Sequence, residues 1–161
     1  MRIAGVRFVV TKNSFSQPPQ GLFQTAFQYK DWTIFEYLNP LPKATFVSSY
    51  EVVPDKKTML AKIFDSSFDP TKKILLFTSP NFEPDTKATG TVQVISYQPQ
   101  EIKLKSFTNG PGFIFINDNY FLNWYADIDG KETPILQANY TFRAILVSAG
   151  EHNIILKYHY F

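Results

Sequence analysis

From residue 90 onward the chain alternates apolar and polar positions in short runs broken by turn residues. Ile102 and Leu104 alternate with Glu101, Lys103 and Lys105, which predicts a strand with one wet face and one buried face. Residues 113–116 are apolar throughout, as expected of a strand covered on both sides. Asp129-Gly130 follows the strand expected over 121–128 and predicts a tight hairpin, because both residues tolerate positive φ. Further strands are predicted over 91–97, 133–137, 141–147 and 153–161, the last two closing around the turn Ser148-Ala149-Gly150-Glu151. Turn signals roughly every eight to twelve residues predict an antiparallel β-sandwich, immunoglobulin-like or jelly-roll, over 90–161.

The first half is more mixed. Strands are predicted over 3–11, 22–29, 32–38, 44–53 and 73–78, with a hairpin at Lys30-Asp31 and a loop over 13–21. Asn39-Pro40-Leu41-Pro42 breaks the pattern, since proline lacks the ladder donor. One helix is predicted near 55–64: Pro54 and Asp55 open it, and Met59, Leu60, Ile63 and Phe64 recur at helical spacing. Residues 79–90, with Pro80, Pro84 and Gly90, are the expected boundary. The predicted whole is mainly β, a sandwich over 90–161 with a smaller N-terminal α+β lobe over 1–80.

Composition narrows the function classes. The hydrophobic fraction of 44% supports a packed interior, and sixteen Phe with nine Tyr favour pleated, half-buried surfaces. A net charge of +2 with interspersed signs argues against a nucleic-acid partner. The absence of cysteine removes disulfides, thiolate catalysis and cysteine-ligated metals together. No apolar run approaches the roughly 18–20 residues that span a bilayer, and Arg7 interrupts the first apolar stretch before signal-peptide length. No nucleophile elbow, phosphate-binding glycine loop or dinucleotide fingerprint occurs, so no cofactor is expected.

Several short motifs occur in a fixed order: Tyr120-Phe121-Leu122-Asn123-Trp124, Asp129-Gly130-Lys131, Pro134, Asn139, Phe142-Arg143-Ala144, Ala149-Gly150-Glu151-His152 and Tyr158. This order resembles the extracytoplasmic C-terminal region of the YfhO family, which reads Tyr-x-Pro-Gly-Trp, Asp-Gly-Lys, Phe-Arg-Ala, Ala-Gly-Glu-His and then an aromatic strand. Residues 4–11 and 39–44 are similar to two earlier elements of that region. Leu122-Asn123 stand where the family has Pro-Gly. YfhO-type proteins resemble GT-C glycosyltransferases of the cell envelope, whose catalytic acids lie between membrane helices. The resemblance therefore implies a non-catalytic soluble region of a longer membrane protein, at the outer face of the bacterial cytoplasmic membrane. It also implies a final membrane helix beyond Phe161. The partners expected are the rest of that protein and a membrane surface or envelope glycan.

Among candidate chemistries, Asp127, Asp129 and Glu132 cluster but miss the EF-hand spacing, so Asp129-Gly130 reads as a turn. His152 and His159 lack the further ligands a metal site needs. Structural roles are expected for Asp129, Gly130, Arg143, Gly150, Glu151 and His152, with Arg143 pairing Asp129 or Glu151. Tyr120, Trp124, Tyr125 and Tyr140 are the candidate contacts for a glycan or membrane, with Trp124 in the core and Tyr120 and Tyr140 partly exposed. A free carbohydrate-binding module or adhesin is the alternative, and a small hydrolase using the paired acids a further one. Asn139-Tyr140-Thr141 matches a glycosylation sequon, a weak signal.

Overall fold

The computed structural model describes residues 2–12, 18–19 and 21–159. Most of the predicted 13–21 loop, and residues 160–161 of the last strand, lie outside the described residues. The protein is mainly β and divides into two compact units, Met1–Pro42 and Lys43–Phe161.

The first unit is an antiparallel three-stranded sheet of β1 (Phe8–Lys12), β2 (Phe23–Tyr29) and β3 (Trp32–Tyr37), in the order β1-β3-β2. Lys30 takes φ 49° at the predicted hairpin between β2 and β3. The strand expected over 3–11 starts only at Phe8. Arg2–Ala4 form a single 3-10 turn, and Gly5 leaves it at φ 63° with its N–H on the Arg2 carbonyl.

The second unit is a sandwich of two sheets. One has five antiparallel strands in the order β11-β10-β14-β8-β7, and the other has six in the order β4-β9-β13-β12-β6-β5. Their ranges are β4 (Ala44–Val47), β5 (Tyr50–Val52), β6 (Ile74–Leu76), β7 (Gly90–Gln98), β8 (Glu101–Thr108) and β9 (Gly112–Ile116). After these come β10 (Trp124–Ile128), β11 (Lys131–Thr133), β12 (Ile135–Ala138), β13 (Phe142–Val147) and β14 (Gly150–Tyr158). The core lies between the sheets. Ile102, Leu104, Ala126, Ile154 and Leu156 of the first sheet meet Phe46, Ile114, Ile116, Ile145 and Val147 of the second. Alternation in β8 is as predicted, with Ile102 and Leu104 buried and Lys103 and Lys105 exposed. Asp129 and Gly130 take φ 54° and 86° at the predicted β10–β11 turn.

Pro134 separates β11 from β12 and marks where the chain leaves one sheet for the other, so the strand expected over 133–137 is split. The strand expected over 44–53 is split as well. β4 and β5 are the two ends of the six-strand order although only Ser48-Ser49 separates them. Six strands laid flat would hold their outer members about 24 Å apart at ~4.8 Å per strand. Three residue steps reach about 11 Å at most, so this sheet curls strongly. Curling explains why β9 is buried on both faces. Ile114 and Ile116 join the inter-sheet core, while Phe113 meets Tyr50 and Phe82 edge-on at 5.6 Å and Phe115 meets Phe142 at 5.7 Å. Gly112 sits under the Phe46 ring, where a Cβ would come within 2.5 Å.

The helix α1 (Lys56–Ile63) joins the parallel pair β5 and β6, a connection that two-residue turns cannot make. Asp55 caps it, accepting from the Thr58 backbone N–H at 2.8 Å. Met59 is buried with Val53 and Leu75, but Phe64, expected on the same face, is the C-cap and is 82% exposed. Residues 43–80 thus belong to the same unit as the sandwich, because β4 pairs with β9 and β6 with β12. The boundary expected at 79–90 falls inside that unit, and the division lies after Pro42, at the proline break.

Candidate functional site

A cleft of about 600 Å³ in the second unit opens where the β7–β8 turn meets the segment after β9 and the start of β10. Its apolar walls are Tyr97, Phe121, Trp124 and Tyr158, and its polar lining is Gln98, Gln100, Asn117, Asp118, Asn119 and Arg143. Tyr97 is 49% and Phe121 61% exposed, so ring surface faces the opening. Trp124 is half-buried and packs its other contacts on the core, with Tyr158 edge-on at 5.8 Å. Leu122-Asn123 fall in the turn that delivers Trp124, whose N–H reaches the Phe121 carbonyl at 3.2 Å. The strand expected from 121 therefore starts at Trp124.

Two cationic groups organise the cleft. Lys43 Nζ donates to Asp118 Oδ1 at 2.5 Å and lies 4.7 Å from the Tyr97 ring centre, while the Tyr97 hydroxyl donates to both Asp118 oxygens at 3.0 Å. Burial works against the charge on Lys43, but its bonds to Asp118 and Tyr97 outweigh this and leave its pKa raised. Arg143 is buried on β13; its Nε donates to the Asn119 carbonyl at 2.7 Å, and its guanidinium lies 4.1 Å over the Trp124 ring. Burial pushes its pKa down, opposed by the charge of Asp118. Its Nη1 is buried without a hydrogen-bond partner, and the ring face is what compensates that group. The predicted ion pair of Arg143 with Asp129 or Glu151 is not formed. Glu151 on β14 instead pairs diagonally with Lys105 on β8 at 2.6 Å, two positions from its direct partner Phe107.

Of the four aromatics singled out in the sequence, only Trp124 lines this cleft. Tyr125 points to the other face of β10 and stacks on His159 at 4.2 Å. Tyr140 packs beside Val53, Met59 and Leu75, and Tyr120 is half-buried with its N–H on the Thr141 carbonyl. Tyr97, Phe121, Lys43 and Asp118 were missed. They come from separate elements, and no local spacing marks them. Asn139 is 1% exposed, so the sequon is buried.

The turn motif forms a second hydrogen-bonded set. Asp129 Oδ2 meets His152 Nδ1 at 2.7 Å, Ser148 Oγ meets His152 Nε2 at 3.1 Å, and Asp129 Oδ1 accepts from the Asn153 N–H at 2.8 Å. The order Ser–His–Asp has the connectivity of a nucleophile relay, but turnover also needs a cleft and oxyanion donors. Ser148, Ala149 and Asp129 stand exposed on hairpin turns. These bonds fasten the β10–β11 turn to the β13–β14 turn. Asp127 Oδ1 is spent on the Gly130 N–H at 2.7 Å, inside the same hairpin. No group of three or more potential metal-ligating side chains occurs among the described residues, nor any helix long and apolar enough to cross a membrane. No protein-family model, curated protein or solved structure matches this chain.

Proposed function

We propose that this chain is a non-catalytic glycan-binding module, the extracytoplasmic appendage of a YfhO-type envelope protein on the outer face of the bacterial cytoplasmic membrane. The cleft carries the reading. A sugar ring offers flat C–H faces and a rim of hydroxyls, so its site needs exposed aromatic surface beside planar polar groups. Tyr97 and Phe121 supply the first, and Asp118, Asn117, Asn119 and Gln100 supply the second. Lys43 and the Tyr97 hydroxyl hold Asp118 in place, which lowers the ordering cost of binding. The resemblance in the motif order supplies the setting, and the alternative of a free carbohydrate-binding module shares the same cleft.

Calorimetric titration with soluble envelope oligosaccharides tests the proposal. The unchanged chain should bind at least one of them, and Tyr97→Ala or Asp118→Ala should weaken that binding about tenfold, the loss of one good contact of ~1.4 kcal/mol. Equal affinity in folded variants contradicts the assignment.

A further inference from the structure

The sheet of the first unit wears its large side chains on the outside. Register identifies them. Lys12, Trp32 and Tyr29 form one cross-strand row, and Val10, Ile34 and Phe27 form the next. Cross-strand partners share a face, so these six side chains make one continuous surface. Val10, Phe27, Tyr29 and Trp32 are 58%, 59%, 60% and 48% exposed, whereas Thr33 and Phe35 on the opposite face are buried. That is the reverse of an ordinary half-wet sheet, which turns its rings inward.

Cations rim the same surface. Lys12 Nζ lies 5.4 Å from the Trp32 ring centre and Lys30 Nζ 5.3 Å from that of Tyr29. Of the two carboxylates of residues 1–42, Glu36 is engaged by Arg7 at 3.0 Å and Gln24 at 2.8 Å, and Asp31 lies beside Lys30 in the β2–β3 turn. Residues 1–42 carry four basic and two acidic side chains, and residues 43–161 carry twelve of each, so the whole net charge of +2 belongs to this unit.

We infer that this face docks on the surface of a bilayer containing anionic lipid. Trp32 and Tyr29 suit the headgroup level, Val10, Ile34 and Phe27 suit the acyl boundary, and the lysines reach lipid phosphates from beside the rings. Lysine stands at the rim of this patch beside Trp32 and Tyr29, where lipid phosphates lie when the rings sit at headgroup level. The inference stands on the first unit alone and does not rest on the cleft.

Co-sedimentation of the full chain with phosphatidylcholine vesicles, with and without phosphatidylglycerol, tests it. The chain should bind the anionic vesicles, lose binding as salt rises, and show a blue shift of tryptophan emission that Trp32→Phe removes. The double change Phe27→Ser, Tyr29→Ser should lower partitioning at least tenfold. Lys12→Glu with Lys30→Glu, which leaves the rings in place, should abolish the preference for anionic lipid. Vesicle binding unchanged by both pairs overturns the inference. So does failure of the folded, unchanged chain to bind anionic vesicles, with light scattering then reading whether a second copy covers the face.

Discussion

Asn139 and Arg143 show how single side chains carry this fold. Asn139 ends β12 at φ 46° and acts as a strand partner through both its backbone and its amide. Its N–H donates to the Leu75 carbonyl at 2.9 Å, and its Oδ1 accepts from the Leu75 N–H at 2.8 Å. Asparagine tolerates the left-handed region better than alanine, and its amide satisfies a buried donor on β6. Asn139→Ala should therefore destabilise the protein by about 2 kcal/mol, combining a stranded buried N–H with backbone strain, as measured by urea unfolding. The sequence marks Asn139 as part of a motif but does not show that it is buried. Burial is set by Leu75, 64 positions away, and leaves no local trace. Arg143 was misread for a related reason. Alternation gives its face, but only the folded segment 117–124 shows that a carbonyl and an indole ring, not an acid, receive it.

Elements were legible where the signal is local. The turns at Lys30 and Asp129-Gly130, the Asp55 cap and the buried stretch 113–116 could all be read because turn chemistry and periodicity lie within a few residues. The splits within 44–53 and 133–137 and the division after Pro42 could not, because they depend on which distant strand each segment pairs with. The clamp between hairpin turns gives a prediction at this scale. The Asn153 N–H and then His152 hold the Asp129 carboxyl below its ordinary pKa. A lowered folded pKa contributes stability above the unfolded value near ~4, and that contribution is lost as pH falls through the folded value. Asp129→Asn should thus lower stability near neutral pH by less than about 1 kcal/mol, given the exposure of the pair. The gap between variant and parent should close below the carboxylate range in melts recorded against pH.

For the whole molecule, the class was readable and the site was not. A mainly β sandwich followed from the alternation, while the cleft gathers Lys43, Tyr97, Asp118, Trp124 and Arg143 from five parts of the chain. The two proposed surfaces divide by unit: rings and lysines on the first, rings and planar polar groups on the second. The proposed function depends most on the cleft being where a ligand settles. Amide and aromatic chemical-shift mapping of the labelled chain during titration with envelope oligosaccharides tests this directly. Saturable shifts confined to residues 97–100, 117–124 and the Arg143 side chain are expected. Shifts gathered at Asp129 and His152, or no movement around Tyr97 and Asp118 with any glycan, would contradict it.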